Sequence, residues 1–307
     1  MTIIGSLQRT GLAATVLLLA GSVAWSQSDE RTKTVDAAKK EGKLVWYTST
    51  NITESKPLLD DFEKAYGIKG EIFRASGEKT LNRIVTEGRA GRWDFDVVTI
   101  SEVDALTDAK LLMSYRSPEA RTFIPEFKDA NGYWTAVYVN YATIGYNTKL
   151  VSEKEAPKQW EDLLDPKWKS KIAIDQEQYS WFGTLHKAWG RERAQKYMRA
   201  IAKQDIQWRK GHTLIAQLMS AGEFPLGVVY AHRTEEMKNR GAPIEWVNTV
   251  NPLVVTLNSA GLSPKAQHPN VARLFIDFLL SKPAQQRLRS LRRIPARPDI
   301  EPFSPRM

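Results

Sequence analysis

Short apolar runs and longer stretches of helical period alternate along the first third of the chain. Residues 43–48 (KLVWYT) are apolar and rich in aromatic side chains, which is typical of a buried strand. Apolar positions from Leu58 to Tyr66 then recur at helical spacing, and Gly67 marks the end of that helix. Similar pairs follow, with strands over 71–75 and 95–100 and helices after Ser76 and from Ser101. The alternation predicts a parallel sheet covered by helices on both faces.

A long extended stretch over residues 134–146 (WTAVYVNYATIGY) interrupts this rhythm. It is long enough to leave one domain and enter a second, in which a further series of strands and helices begins at residues 171–175. Extended segments over 242–247 and 252–257 fit the return crossing, and the chain closes with helices that begin at Pro269 and after Pro283. We therefore expect two α/β lobes: lobe 1 over residues 27–139 and 250–307, and lobe 2 over 140–249.

The N-terminus has the pattern of a secretory signal. Arg9 is the only charged side chain of the first ten residues, an apolar run covers 11–24, and Ala24-Trp25-Ser26 offers small residues at a cleavage site. An uncleaved anchor is the alternative, but the run is shorter than the roughly 20 apolar residues of a membrane span. We expect residues 1–26 to be removed and the protein to be exported to a bacterial periplasm.

Composition excludes several classes of function. The 307 residues include no cysteine, which rules out disulfides, a thiol nucleophile and cysteine-ligated metal centres. The four histidines are scattered without metal-ligand spacing, and no nucleophile elbow or phosphate-binding loop is present. A secreted hydrolase remains a remote alternative, since a catalytic triad leaves no spacing signature. The net charge of +9 and the basic run over 287–293 suggest nucleic acid, but elsewhere bases alternate with acids, so we interpret the run as a solvated helix face.

Hydroxyl side chains follow the strands of the first lobe. Helices begin at these strand ends, where first-turn N–H groups lack an intrahelical partner and favour an anion. Capping of the helix alone is the commonest use of such residues, so that interpretation stays open for each of them. The first-lobe candidates for ligand contacts are Thr48, Ser49, Thr50, Ser76 and Ser101.

The remaining candidates come from the crossing and from the second lobe. Tyr138 and Tyr141 lie in the crossing segment, on the hinge side of a cleft between lobes. Asp175 and Trp181 follow the strand at 171–175, whereas Tyr230, His232 and Arg233 follow the run PLGVVY. Aromatic faces with a few convergent polar groups are what a small-molecule cleft requires.

The chain resembles the solute-binding proteins of bacterial ABC importers, in the branch that includes ferric-ion-binding proteins. The segments that carry the resemblance include LVWYTST, YVNYATIGYNTKLV, WEDLLDPKWKSKIAI, GEFPLGVVYAHR and SKPAQQRLRSLRRIPARPDI. The resemblance implies the type II periplasmic-binding-protein fold: an α/β protein with mixed sheets, flanking helices and a ligand cleft between its lobes. It also implies a non-enzymatic protein that hands its ligand to a membrane permease. We expect a monomer that needs no cofactor and binds no nucleic acid.

Ferric iron is one possible ligand by this resemblance. Ferric-binding relatives use a His or Tyr after the first strand and two adjacent tyrosines near the GVVYAHR segment, where this chain has Asn51 and the single Tyr230. We therefore expect no metal site, with Tyr230 as the ligand if iron does bind. The hydroxyl-rich helix starts favour a small organic or oxo-anion such as a phosphonate, sulfonate or carboxylate. Asp175 would suit an amine on the same molecule or else cap the next helix, and Arg233 or Arg74 would supply the countercharge.

Overall fold

The computed structural model describes residues 32–307, and the signal segment predicted over residues 1–26 lies outside that range. Residues 32–41 are helical. The strands that follow are β1 (Lys43–Thr48), β2 (Lys69–Arg74), β3 (Val97–Ile100), β4 (Trp134–Asn147), β5 (Ile172–Asp175), β6 (Gln207–Arg209), β7 (Leu226–Tyr230), β8 (Ile244–Trp246), β9 (Val254–Leu262) and β10 (Ile294–Pro295). The α-helices are α1 (Ile52–Tyr66), α2 (Gly77–Arg89), α3 (Val103–Asp108), α4 (Tyr179–Trp189), α5 (Arg191–Ile201), α6 (His212–Ala221), α7 (Ala231–Asn239), α8 (Pro269–Leu280) and α9 (Lys282–Ser290).

The strands form a mixed sheet in the order β2-β1-β3-β9-β4-β7-β5-β6, with β8 and β10 also paired to β4. The pairs β1–β2 and β1–β3 are parallel at one end of the sheet, and β5–β6 and β5–β7 are parallel at the other. Antiparallel β4 and β9 join the two parallel parts. The prediction of an α/β fold with a mixed sheet and flanking helices is confirmed.

The apolar core is divided in two along β4 and β9. Tyr138 and Val139 of β4 belong to a core that also contains Trp46, Phe62 and Phe275. Ala142 and Ile144 further along the same strand, together with Val254 of β9, belong to a second core built around Trp160, Trp181 and Tyr197. We call the residues around the first core the first lobe and those around the second core the second lobe. The long extended stretch recognised in the sequence is therefore the segment that connects them.

The C-terminal tail also reaches from one lobe to the other. β10 pairs with Val139 and Tyr138 of the first lobe. Beyond it, Ser304 Oγ donates to Glu235 Oε1 at 3.1 Å, and Arg306 Nη1 donates to Glu245 Oε1 at 2.9 Å. The guanidinium of Arg306 also lies 4.3 Å from the ring centroid of Trp246. The tail, which sequence reasoning assigned to the first lobe, thus forms polar contacts with helix α7 and strand β8 of the second.

The helix boundaries that shape the first lobe follow from local sequence. α1 ends at Gly67, whose φ of +72° is a conformation that glycine adopts without steric cost. Ser76 is the N-cap of α2 and accepts a hydrogen bond from the backbone N–H of Lys79 at 3.4 Å. The helix expected to start at Ser101 begins at Val103 instead, with Glu102 as its N-cap residue. Within residues 32–307, no helix is both long and apolar enough to cross a membrane.

Candidate functional site

A cleft of about 680 Å³ lies between the lobes. Its first-lobe wall is formed where β1, β2 and β3 end and α1, α2 and α3 begin, and its second-lobe wall lies at the ends of β5, β6 and β7. The carboxyl ends of parallel strands from both lobes therefore face the same space. That edge is where open α/β sheets hold their ligands.

The first-lobe wall combines hydroxyl groups with cationic side chains. Ser49 and Ser76 line the cleft beside Arg74 and Lys79. Arg74 Nη2 donates to Asn51 Oδ1 at 2.9 Å, which holds the guanidinium at the cleft rim. Within residues 32–307, neither Arg74 nor Lys79 has a carboxylate within 4.0 Å, so both positive charges are available to a ligand.

Glu102 places a carboxylate against the start of α2. A Cβ atom added to Gly77 would lie 2.2 Å from Glu102 Oε2, so the carboxylate would have to move if any other residue replaced this glycine. Glu102 Oε2 is buried and has no hydrogen-bond partner among the described residues. Burial raises the pKa of Glu102, whereas hydrogen bonds from the backbone N–H groups of Glu102 and Ser101 act in the opposite direction. This first-lobe wall therefore carries an acidic group without an ion-pair partner among the described residues beside its cationic ones.

Asp175 and Glu177 shape the second-lobe wall. The Asp175 carboxylate accepts hydrogen bonds from the backbone N–H groups of Glu177 at 2.8 Å and Gly211 at 2.7 Å. It therefore fixes the loop after β5 and Gly211, the residue before α6, but it does not cap α4, the next helix, whose N-cap residue is Gln178. Glu177 Oε1 lies 3.1 Å from Lys210 Nζ and accepts a hydrogen bond of 3.3 Å from Ser76 Oγ in the opposite lobe.

Arg293 forms the floor of the cleft. Its guanidinium donates to Asn140 Oδ1 at 3.1 Å and to Glu54 Oε2 at 3.2 Å, and it lies 4.6 Å from the ring centroid of Tyr138. Arg293 Nη1 also lies 3.0 Å from His232 Nε2. Burial holds the pKa of His232 well below its usual value, and the charges of the neighbouring arginines act in the same direction. His232 is therefore neutral, with Nε2 accepting from Arg293.

Three aromatic rings line the cleft near this floor. The ring centroids of His212 and Tyr230 are 3.8 Å apart, and those of Tyr230 and His232 are 5.7 Å apart. Burial raises the pKa of Tyr230, which keeps its hydroxyl protonated and able to donate a hydrogen bond. Burial also lowers the pKa of His212. The stack is thus a neutral aromatic surface beside the charged walls.

The structure brings most of the sequence-derived candidates to this cleft. Those that line it are Ser49, Ser76, Ser101, Tyr138, Asp175, Tyr230 and His232. Two further candidates lie just behind the first-lobe wall: Thr48 bonds to Thr99 Oγ1 at 2.6 Å, and Thr50 Oγ1 lies 3.3 Å from the Tyr138 hydroxyl. These two threonines support the wall rather than face the ligand space.

The other three candidates lie away from the cleft. Trp181 is buried in the second-lobe core, where its ring centroid is 4.9 Å from that of Trp160. Tyr141 packs against the first-lobe core. Arg233 donates to Glu54 Oε1 at 2.6 Å and also pairs with a carboxylate on its own helix, so its charge is compensated within the protein. The expectation that these side chains line the cleft does not hold in the structure.

Sequence reasoning missed several groups that line the cleft, above all Arg293. The solvated-face interpretation of residues 287–293 suits Arg287, which pairs with Asp61 on the surface, but not Arg293, which is 4% exposed. Arg293 directly precedes Ile294 and Pro295, which are buried against β4. The position of Arg293 next to this short apolar run was the feature of the sequence that could have indicated its burial. Residues that line the cleft and were not nominated include Lys79, Glu102, Lys210 and Asn258.

Residues 32–307 contain no group of three or more His, Asp or Glu side chains placed to hold a metal ion. Tyr230, the one candidate ligand for ferric iron, has histidine rings as its nearest aromatic neighbours. The oxygen-rich ligand set that a hard trivalent cation prefers is therefore not assembled around it.

Several proteins with similar sequences or folds are periplasmic binding proteins. A Salmonella paratyphi A protein with a proposed role in binding 2-aminoethylphosphonate is 25% identical, over 94% of this chain and 84% of that protein. The periplasmic binding protein AfuA of Actinobacillus pleuropneumoniae, solved with exogenous fructose 6-phosphate bound, superposes with a TM-score of 0.79 at 26% identity, over 86% of this chain and 88% of that one. Iron-bound HitA of Pseudomonas aeruginosa superposes with a TM-score of 0.78 at 20% identity, over 86% and 89% of the two chains.

The similarity to these individual proteins agrees with a match between this chain and a protein-family model. The fold is that of type II periplasmic binding proteins. A sequence model of the bacterial extracellular solute-binding proteins matches residues 104–306, more than half of the chain, and the protein therefore belongs to that family.

Proposed function

We propose that this protein is the periplasmic substrate-binding component of an ABC importer and that it captures a small organic oxo-anion, a phosphonate or phosphate ester above all. Family membership and periplasmic relatives support the transport role. In this proposal residues 1–26 are the export signal, residues 140–249 form the second lobe, and the flanking residues 27–139 and 250–307 form the first. The monomeric protein delivers its ligand to a membrane permease and performs no chemistry on it.

The observation that carries the proposed ligand class is the convergence of cationic groups and helix starts on one cleft. Arg74 and Lys79 of the first lobe line this space without an ion-pair partner among the described residues. Lys210 and Arg293 line it as well, paired with Glu177 and Glu54. The first residues of α2 and α6, one helix from each lobe, line it as well. N–H groups at helix starts are donors for phosphate-like anions, and arginine binds such groups through two hydrogen bonds. A ligand touching both walls would favour the closed arrangement of the lobes.

Ferric iron was the alternative ligand, and some relatives are named for binding it. Ferric ion binds the phenolate form of tyrosine, yet burial raises the pKa of Tyr230 and disfavours that form. Arg74 and Lys79, the cations of the cleft without an ion-pair partner among the described residues, would also repel a trivalent cation. An oxo-anion is therefore the better match for the charges that line this cleft.

A thermal-shift screen of refolded, ligand-free protein tests the proposal. The panel contains 2-aminoethylphosphonate, propylphosphonate, fructose 6-phosphate, a sulfonate, a small carboxylate and ferric citrate. A ligand at about 100 times its Kd stabilises the native state by about 2.7 kcal/mol, which raises the Tm measurably. We expect a phosphonate or phosphate ester to give the largest shift.

Substitutions then locate the site. Arg74→Gln removes a cleft charge and should weaken binding of the stabilising anion, whereas Arg89→Gln, at the exposed end of α2, is the control with the same charge change. Equal affinities for the two variants would place the site elsewhere. A tyrosinate-to-iron absorption band with ferric citrate, combined with no shift by any anion, would overturn the proposed ligand class.

A further inference from the structure

Glu102 is an acidic side chain in the cleft proposed to bind an anion. Its carboxylate lies against Gly77 at the start of α2, and Oε2 is buried without a hydrogen-bond partner among the described residues. Backbone N–H groups of Ser101 and Glu102 hydrogen-bond the carboxylate, but no cationic side chain of residues 32–307 lies within 4.0 Å of it. Asp175 instead accepts backbone hydrogen bonds that fix two loops, and Glu177 pairs with Lys210. A buried charge without a partner is costly unless a ligand supplies the partner.

A second unused acceptor lines the same cleft. Asn258 is 1% exposed, and its Nδ2 donates to Ser49 Oγ at 3.0 Å. Its Oδ1 has no partner among the residues that the structure describes. Glu102 Oε2 and Asn258 Oδ1 are therefore two buried acceptors in the cleft lining to which a ligand could donate hydrogen bonds. Several N–H bonds and a positive charge are the features of an ammonium group.

The first-lobe wall thus carries both positive and negative side chains that lack an ion-pair partner among the described residues. Arg74 and Lys79 offer positive charge without a carboxylate neighbour within 4.0 Å in residues 32–307, and Glu102 offers negative charge without a cationic one. A simple anion would satisfy the first pair and leave Glu102 beside a like charge. A molecule that carries both charges would satisfy all three groups.

We propose that the ligand is zwitterionic, with an amine as well as an oxo-anion, and that Glu102 is the specificity-determining residue that binds the amine. This inference rests on the proposed function, since it describes the second half of the same ligand. It transfers to Glu102 the role that sequence reasoning gave to Asp175. A polyol phosphate would offer hydroxyl donors but no charge to offset that of Glu102, so the amine is the better match.

Isothermal titration of the mature protein with two phosphonates tests this assignment. 2-Aminoethylphosphonate and propylphosphonate have the same length and differ in an ammonium group against a methyl group. Hydrogen bonds to charged groups contribute about 1.5–3 kcal/mol, so we expect the amine to bind roughly 10- to 150-fold more tightly. Glu102→Gln should reduce that ratio to a few-fold by weakening the amine alone.

Two further variants test whether the preference for the amine depends on the charge of Glu102 or on a structural effect of the substitution. Glu102→Asp keeps the charge and should retain part of the preference. Asp104→Asn removes an acidic residue from the first turn of α3, the helix that follows Glu102, outside the cleft lining, and should leave the ratio unchanged. Thermal unfolding of each variant in buffer checks that it folds.

The outcomes distinguish this inference from the proposed function. Equal wild-type affinity for the two phosphonates would overturn the amine assignment and leave the oxo-anion proposal standing. Equal weakening of both phosphonates by Glu102→Gln would also overturn it, because the residue would then only support the wall. Binding of neither phosphonate, with a ferric absorption band, would overturn both.

Discussion

Glu54 holds together a buried ion network at the base of the cleft, and its neutralisation should destabilise the protein strongly. It lies in α1 of the first lobe and is 2% exposed. Its two carboxylate oxygens accept from Arg233 at 2.6 Å and from Arg293 at 3.2 Å. Glu54→Gln preserves the size of the side chain but removes the charge, and it turns an N–H₂ group toward one of the guanidiniums. The amide N–H₂ group and a guanidinium N–H group, both buried donors, would then face each other where the carboxylate had accepted a hydrogen bond.

The size of the loss in the free energy of unfolding depends on which ion pairs the two arginines keep after the substitution. Removal of one partner from a buried ion pair typically costs about 3–5 kcal/mol, because the other charge is left buried. Arg233 keeps Glu236 as a partner, but within residues 32–307 the ion pair with Glu54 is the only one that Arg293 makes. We therefore expect a loss near the lower end, ~3 kcal/mol in the free energy of unfolding. Large domains lose about 2 °C per kcal/mol, so the Tm should fall by roughly 6 °C.

Urea unfolding followed by circular dichroism measures this loss. Asp60→Asn in the same helix is the matched control, since Asp60 pairs with Lys56 on the surface and both side chains are about half exposed. Exposed pairs of this spacing contribute about 0.3–0.5 kcal/mol. If Glu54→Gln unfolds at a free energy within 1 kcal/mol of Asp60→Asn, the buried carboxylate does not compensate the two arginines as argued.

Three further measurements follow from the placement of single residues. Trp181→Ala should cost about 3–5 kcal/mol in the free energy of unfolding, because the ring is buried in the second-lobe core, whereas affinity measured on the folded fraction should not change. Tyr230→Phe should weaken binding of the stabilising anion about 2- to 10-fold with little change in Tm, and Tyr141→Phe, outside the cleft, should not weaken it. The folded-state pKa of His232 lies well below 6.5, so the unfolded chain takes up the proton first as the pH falls, and the free energy of unfolding should decrease below about pH 6.5 by up to about 1.4 kcal/mol per pH unit. His232→Gln should flatten that decrease in urea titrations between pH 6.5 and 5, and an unchanged slope would contradict the assignment of a buried neutral imidazole.

The architecture could be predicted from the sequence because its signals are local. A long extended run without helical period predicted β4, and its length predicted that the strand crosses between lobes. Repeated pairs of short apolar runs and helical stripes predicted the parallel ends of the sheet. Such patterns depend on neighbours a few residues apart, so a single sequence contains them.

The cleft residues could be predicted only in part, because their roles depend on partners far along the chain. Asp175 follows a strand in either interpretation, and only the 2.7 Å bond to the N–H of Gly211 shows that it supports the wall. Arg293 has the same local composition as its exposed neighbours, and its burial depends on Glu54, 239 residues earlier in the chain. No pattern within a short window distinguishes these environments.

The same ion network limits what opening of the cleft would cost. Glu54 and Arg293 both belong to the first lobe, and Arg233 and Glu236 both belong to helix α7 of the second. If the lobes separate, the Glu54–Arg233 ion pair and the hydrogen bond between Arg293 and His232 are lost, but each of the four charges keeps an ion-pair partner within its own lobe. Because no charge is left alone, the network does not lock the cleft closed. A ligand that contacts Arg74, Lys79 and Glu102, which lack an ion-pair partner among the described residues, would therefore add free energy to the closed arrangement that this network does not supply.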